Sequence, residues 1–233
     1  MSDSDAALQQ FLHIASHDLG EPIRQVISFT EILQEEEAQH LSEDGLLYLQ
    51  RANAAGLRLQ NMLKGMLQLS RIVSQGQAFI PCDMNTVLAN VISILNSDID
   101  HCASSIHQAR EMPELEGDEA QLGVLLYQVL KNSLIYTRPG IPAAVKIHSR
   151  CDESANRAYI TVSDNGRGFE PQQAEIMFNV FGRLDPQEAP DGDGIGLTLC
   201  KRICERHGGL ISATPNEDTG TIIHIELPLR QTA

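Results

Sequence analysis

The chain has 233 residues and a formal net charge of −14, a length that can bury a sizeable core in one large or two modest domains. Its apolar content of 42% and charged content of 21% are typical of a globular protein. The acidic balance argues against binding a nucleic-acid backbone, which needs clustered Lys and Arg, but it leaves a nucleotide site open.

Targeting and redox signals are absent from the sequence. No apolar run is long enough to span a bilayer, and no signal peptide opens the chain. The five cysteines form no C-x-x-C pair, which favours reduced thiols. Cys200 and Cys204 have helical spacing, but without a second pair of ligands they are better explained as core residues than as a metal site. We therefore expect a cytoplasmic protein without direct membrane insertion.

The first segment is predicted to form a long amphipathic helix. Apolar residues recur with helical spacing from Leu8 to about Ala38. Because the pattern continues in phase past Pro22, the proline predicts a kink rather than a helix end. Near the start of this helix, His17 is followed directly by Asp18. A histidine here is either a phosphate acceptor or one more polar residue on a helix.

A second long helix is predicted after a polar turn, with Ser42 as its N-cap. Its apolar residues run from Leu46 to Val73, and the pattern fades at residues 74–76. A single hairpin of two such helices leaves a broad apolar stripe uncovered. Two hairpins packed antiparallel bury that stripe as a four-helix bundle. The pattern therefore predicts a homodimer, with a dimerisation domain over residues 1–76.

Residues 77–233 form the second predicted domain, an α/β sandwich with helices on one face of its sheet. Alternating runs predict strands over residues 79–82, 105–108, 144–150, 157–162, 210–214 and 221–227. Helices are predicted after Asp83, after Gly117-Asp118, near residues 171–178 and over residues 195–207.

Two polar positions in this domain could bind a ligand. Asn132 lies on a predicted helix, where it is either a surface or capping residue or a ligand whose amide oxygen binds a hard cation such as Mg²⁺. Asp164 follows a strand and precedes Gly166 and Gly168. This stretch is either a simple turn or a site where the carboxylate accepts from an exocyclic amine while the glycines let a flat base approach the backbone.

A glycine-rich stretch opens the helix near residue 195. Gly192, Gly194 and Gly196 precede Leu197, and free amides at a helix start favour an anion, although a flexible loop is the alternative. The aromatic pair Phe178 and Phe181 is of the kind most often found in a core. Residues 182–193 are polar, with two prolines and several acids, and predict a mobile lid.

These motifs occur in the order of the H, N, first-glycine, F and second-glycine boxes of one family. The motifs are His17, Asn132, Asp164-x-Gly166-x-Gly168, Phe178/Phe181 and Gly192-x-Gly194-x-Gly196. Over about residues 8–229 the chain resembles the catalytic core of a two-component sensor histidine kinase. Such a core has a HisKA-like dimerisation hairpin followed by a GHKL (Bergerat-type) α/β sandwich. The sequence around His17 and the run 194–209 look most like phytochrome-type kinases.

The resemblance implies ATP and Mg²⁺ as cofactors. Asn132 would coordinate Mg²⁺, and Asp164 would bind the adenine amino group. The remaining residues implied in nucleotide binding are Tyr136, Gly166, Gly168, Arg183, Gly192, Gly194, Gly196 and Leu197, with Arg183 reaching the γ-phosphate. His17 would attack the γ-phosphorus, with Asp18 holding its other ring nitrogen. The phosphoryl group would pass to an aspartate of a response regulator, and a sensor module would lie outside this chain.

Three positions depart from the family pattern. Gln128 stands where Asn usually opens the N box, and Ile135 replaces a frequent Lys whose phosphate contact Arg138 could supply. Glu21 stands where Thr or Asn often supports regulator dephosphorylation, which leaves phosphatase activity open. Two other functions also remain open, namely a GHKL ATPase without kinase activity and a non-catalytic dimeric adaptor that binds regulators.

Overall fold

The computed structural model describes residues 3–74, 76–184, 194–217 and 219–231, with the side chains of the first range described at 18–70 and 72. The helices are α1 (Asp3–Glu36), α2 (Glu43–Ser74), α3 (Met84–His101), α4 (Glu119–Ile135) and α5 (Gly196–Arg206). The strands are β1 (Ile80–Asp83), β2 (Ser105–Gln108), β3 (Glu114–Gly117), β4 (Ala144–Asp152), β5 (Arg157–Ser163), β6 (Leu210–Pro215) and β7 (Thr221–Pro228).

Helices α1 and α2 form the predicted hairpin. Helix α1 continues through Pro22, as the in-phase pattern predicted. The Ser42 hydroxyl accepts from the amide of Gly45 at 3.1 Å, which confirms the predicted N-cap of α2. The helices approach closely at Gly56, where a Cβ would lie 2.9 Å from Cγ1 of Ile27. Within the described residues, no helix combines the length and apolarity needed to cross a bilayer.

The rest of the described chain forms the predicted sandwich. Its larger sheet has the strand order β2-β4-β5-β7-β6, with β2 and β4 parallel and the other neighbours antiparallel. Along β4, Val145 and Ile147 are buried whereas Lys146 and His148 are exposed. One face of the sheet therefore packs into a core shared with α3, α4 and α5, as the alternation predicted.

The structure corrects two predicted elements. The strand β3 was not predicted, and it pairs antiparallel with β1 in a separate small sheet. With four residues and one apolar side chain it carries no periodicity, so only its distant partner reveals it. The helix predicted near residues 171–178 is instead two short 3₁₀ turns, Pro171–Gln173 and Ile176–Phe178.

A buried histidine joins the end of α5 to the start of α4. His207 stacks on Phe79 with ring centroids 4.6 Å apart. Its Nε2 accepts from the amide of Asp118 at 3.0 Å, so Nδ1 carries the proton that bonds the carbonyl of Ile203 at 2.8 Å. Asp118 in turn caps α4 by accepting from the amide of Gln121. This contact positions the helix that carries Asn132.

Protonation of His207 should cost folding free energy. Burial lowers its pKa below the ordinary 6.5, so the unfolded chain binds this proton more readily than the folded chain. The stability contributed by the neutral imidazole is fully present above pH 6.5, and it is lost as the pH falls toward the folded-state pKa of His207. We expect His207→Gln to remove up to about 1.4 kcal/mol per pH unit from the slope of unfolding free energy between the folded-state pKa of His207 and pH 6.5.

Urea unfolding of the wild type and of His207→Gln across a pH series measures the slope of unfolding free energy against pH. The exposed His101 offers a matched control, and His101→Gln should keep the wild-type slope. An unchanged slope in His207→Gln would contradict the assignment of a neutral buried imidazole.

Candidate functional site

A cavity of about 400 Å³ lies where the hairpin meets the sandwich, and we call it the junction cavity. It is lined by residues of α2, α4, the loop after β5, the start of α5 and strand β7. Eight of the predicted site residues line it: Asn132, Tyr136, Asp164, Gly168, Arg183, Gly194, Gly196 and Leu197.

Asp164 forms the buried end of this cavity. Its Oδ1 accepts from the amides of Gly166 at 2.9 Å and Thr221 at 3.0 Å, and its Oδ2 accepts from the hydroxyl of Ser133 at 3.2 Å. Burial raises the pKa of this carboxyl, while these three donors act in the opposite direction. The donors come from three separate segments, so the carboxylate has a fixed orientation and its Oδ2 side faces α4.

The glycines around Asp164 permit close backbone packing. A Cβ at Gly166 would lie 2.5 Å from the carbonyl oxygen of Tyr136, and Gly168 has a φ of +73°. Gly220 has a φ of +103°, and a Cβ there would collide with the carbonyl of Asp164. Gly166 contacts Asp164 but does not line the cavity, whereas Gly168 does.

The opposite part of the cavity lies between α4 and α5. Asn132 is half-buried on α4, one turn beyond Gln128. A Cβ at Gly196 would lie 2.8 Å from Oε1 of Gln128, so glycine lets the first turn of α5 approach α4. The amides at this helix start and the nearby Asn132 give this part of the cavity the character of an anion site.

The charge of the cavity contrasts with that of the whole chain. Its lining includes Lys64, Lys131, Arg167 and Arg183, and Asp164 is the single carboxylate among the described lining residues. A protein with a net charge of −14 thus places four cations around one cavity. Such a surplus suits a ligand with several negative charges. Within the described residues, no three His, Cys, Asp or Glu side chains cluster as a metal cage.

Some predicted site residues are not brought into the cavity. Asp18 is exposed on α1 and does not line it, and the side chain of His17 lies outside the described residues. Gly192 and lid residues 185–193 also lie outside the described residues. Arg138 does not line the cavity, and its Nε donates to the carbonyl of Asn165 at 2.9 Å.

The aromatic pair is split between core and surface. Phe178 is buried, as predicted for a core residue, and its carbonyl accepts from the hydroxyl of Thr198 on α5. Phe181 is exposed and has a φ of 61°, so the expectation of a core residue is wrong for it. A positive φ turns the chain sharply here, and this reversal is not encoded in the spacing of the two aromatics.

Sequence reasoning missed Ser133, Thr221 and the α2 wall of the cavity. Ser133 lies beside Asn132 and could have been suspected as a polar residue on the buried face of an apolar helix. Thr221 contributes its backbone amide, and no residue type signals such a role. The α2 residues reach the cavity only through the packing of two distant segments.

Two family models match adjacent parts of this chain. The His Kinase A (phospho-acceptor) domain matches residues 7–75. The histidine kinase-, DNA gyrase B-, and HSP90-like ATPase matches residues 117–231. The two matches reproduce the order of hairpin and sandwich seen in the structure.

Curated relatives match nearly the whole chain. It is 28% identical over 226 residues to the phytochrome-like protein Cph1 of Synechocystis, a match covering 97% of this chain and 30% of that protein. It is 26% identical over 227 residues to the methanogenesis regulatory histidine kinase FilI of Methanothrix harundinacea. This match covers 96% of this chain and 25% of that protein. The chain thus spans about 30% of the length of the first of these relatives.

Solved structures share the fold. Full-length ShkA in complex with AMPPNP superposes with a TM-score of 0.67 at 21% identity, covering 96% of this chain and 46% of that one. Histidine kinase ThkA in complex with response regulator protein TrrA superposes with a TM-score of 0.66 at 20% identity. This match covers 97% of this chain and 64% of that one. The predicted fold class, a helical hairpin followed by a GHKL sandwich, is confirmed.

The acceptor geometry of Asp164 makes a stability prediction. Asp164→Asn keeps an oxygen for the amides of Gly166 and Thr221. We expect its free energy of unfolding to lie within about 1 kcal/mol of the wild-type value. Asp164→Ala leaves both amides without that acceptor and should lose about 2–4 kcal/mol. Urea unfolding near neutral pH measures both values.

The difference in unfolding free energy between the wild type and Asp164→Asn should change with pH in a defined direction. A folded-state pKa raised above the unfolded value means that ionisation costs stability. The wild type should therefore gain stability relative to Asp164→Asn as pH falls through that pKa. Equal stability of the Asn and Ala variants would contradict the acceptor role.

Proposed function

We propose a function from the premise that this chain belongs to the sensor histidine kinase family, since phosphoacceptor and ATPase models match its two parts. The chain binds ATP in the junction cavity, transfers the γ-phosphoryl group to His17 and passes it to an aspartate of a response regulator. The observation that carries this proposal is the junction cavity itself, with a buried carboxylate at one end and cations around it, built against the phosphoacceptor hairpin.

The adenine ring occupies the end of the cavity at Asp164. Oδ1 already accepts two amide protons, so the exocyclic amine donates to Oδ2, beside the hydroxyl of Ser133. Gly168 and the backbone near Tyr136 border the ring. An ionised Asp164 accepts but does not donate, and this selects a base that carries an amine over one that carries a carbonyl there.

The phosphates extend toward Asn132 and the start of α5. Asn132 supplies one amide oxygen, which suits Mg²⁺ because this ion usually keeps several waters and takes few protein ligands beside the phosphates. The bound ion would neutralise phosphate charge during transfer. Arg183 lines the same cavity and adds positive charge, while Gly194, Gly196 and Leu197 shape the backbone that the phosphates approach.

His17 is the nucleophile of the proposed transfer. Its Nε2 lone pair forms the bond to the γ-phosphorus as the bond to the β,γ-bridging oxygen breaks and ADP leaves. The Nδ1 proton stays on the ring, and Asp18 accepts from it, which favours the nucleophilic tautomer and stabilises the cationic product. The regulator's aspartate carboxylate then forms a bond to this phosphorus as the P–Nε2 bond breaks, and the neutral imidazole of His17 is the leaving group.

The hairpin also supports a dimer. Apolar residues of α1 lie exposed in the single chain at spacings of seven, three and four: Leu19, Val26, Phe29 and Leu33. Such a stripe is the seam of a helical bundle. We place the dimerisation domain at residues 1–76, the ATP-binding domain at 77–233 and the protein in the cytoplasm. A response regulator binds the bundle near His17.

Transfer of label from ATP tests the proposed activity. Incubation with γ-labelled ATP and Mg²⁺ should give acid-labile phosphate on the wild type, because phosphohistidine hydrolyses in acid. His17→Ala should abolish this label. His40→Ala, which removes an exposed histidine elsewhere on the hairpin, should retain it.

The other outcomes separate the two rival functions. ATP turnover without acid-labile label would indicate a GHKL ATPase, and failure to bind nucleotide would indicate a regulator-binding adaptor. Label that persists in His17→Ala would exclude His17 as the acceptor.

The dimer has its own test. Phe29 is 64% exposed in the single chain, so Phe29→Glu would bury a charge in the proposed seam. We expect light scattering at micromolar concentration to show a dimer for the wild type and a monomer for this variant. Ile94 on α3 is similarly exposed, at 67%, and Ile94→Glu should leave the dimer intact. A wild-type monomer would contradict the proposal.

A further inference from the structure

Helix α2 forms one wall of the junction cavity. Asn61, Lys64, Gly65 and Gln68 line it, at the spacing of one helix face. Its three side chains are all polar, and that of Lys64 is cationic. This wall belongs to the phosphoacceptor hairpin, whereas the rest of the described lining belongs to the sandwich.

The α2 wall lies against the start of α5. A Cβ at Gly65 would collide with the side chain of Ile195, so only glycine lets α2 approach this closely. Ile195 is fully buried and directly precedes α5. The next residue, Gly196, contacts Gln128 on α4. Lys64, adjacent to Gly65, therefore lies on the wall of the cavity where α2 meets the start of α5.

Three of the cations that line the cavity come from different elements of the fold. Arg167 donates through Nε to the carbonyl of Thr137, beside the loop that carries Asp164. Lys131 lies over the ring of Tyr127, 5.5 Å from its centroid. Lys64 reaches the cavity from α2, and its Nζ donates to Oε1 of Gln60 at 3.1 Å. An ammonium group carries three protons, so this bond leaves donors for a ligand.

We propose that Lys64 binds the terminal phosphate of ATP from the hairpin side. This inference rests on the proposed function, because it assumes that the cavity holds ATP with its base at Asp164. Its consequence is that the terminal phosphate bridges the two parts of the chain. ATP, but not adenosine, would then favour the packing of α2 against α5 through this contact, since a ligand stabilises the state that it binds better.

Nucleotide binding to the whole chain tests the role of Lys64. The probes are the Mg²⁺ complex of the non-hydrolysable analogue AMPPNP, and adenosine, both measured by calorimetry. We expect Lys64→Gln to weaken AMPPNP binding about fivefold, the loss of one solvent-exposed charge contact. Adenosine, which lacks phosphates, should bind both proteins equally, and Lys64→Arg should restore most of the AMPPNP affinity.

Arg58 supplies the matched control. It is an exposed cation on the same helix and does not line the cavity, so Arg58→Gln should bind AMPPNP as the wild type does. Equal AMPPNP affinity of the Lys64→Gln and Arg58→Gln variants would overturn the inference. An equal loss for adenosine and AMPPNP in Lys64→Gln would overturn it too, since a phosphate contact does not act on adenosine.

The same experiment keeps this inference separate from the proposed function. If the wild type binds neither AMPPNP nor adenosine, the proposed function fails and the inference fails with it. If the wild type binds both but Lys64→Gln behaves like Arg58→Gln, the role of Lys64 alone is wrong.

Discussion

The buried carboxylate of Asp164 is the interaction on which the candidate site depends. Removing an ionised carboxylate from water is costly unless donors replace the lost hydration. Here Ser133 on α4, Gly166 in the loop after β5 and Thr221 at the start of β7 all donate to it. The carbonyl of the same residue accepts from the side chain of Asn216. One residue thereby joins a helix, a loop and a strand, and the cavity takes its shape from that junction.

The remaining part of the cavity depends on close helix packing. Gly196 lets α5 approach α4, and Gly65 lets α2 approach the residue before α5. His207 and Asp118 fix the start of α4 from the other end of α5. The end of the cavity at Asp164 is thus held by hydrogen bonds within the sandwich, whereas the opposite part is formed where two separate parts of the chain meet. A change in the position of the hairpin would alter that opposite part first.

Local signals predicted most of the fold. Helices were predicted to begin after Ser42, Asp83 and Asp118, and each of these residues accepts an amide hydrogen bond from the helix that follows it. The alternation in β4 and β5 was long enough to be recognised. The strand β3 was missed because four residues contain too little periodicity, and Phe181 was misjudged because its spacing from Phe178 carries no information about a positive φ.

By itself, the sequence determined the hairpin, the sandwich and eight of the residues that line the candidate site. This was possible because caps, glycines and apolar periodicity act over a few neighbouring residues. Only the tertiary structure decided that Ser133 and the amide of Thr221 hold Asp164, and that Lys64 lines the same cavity as Asn132. These contacts join segments about 30 to 70 residues apart, and long-range packing leaves no periodic trace in either segment.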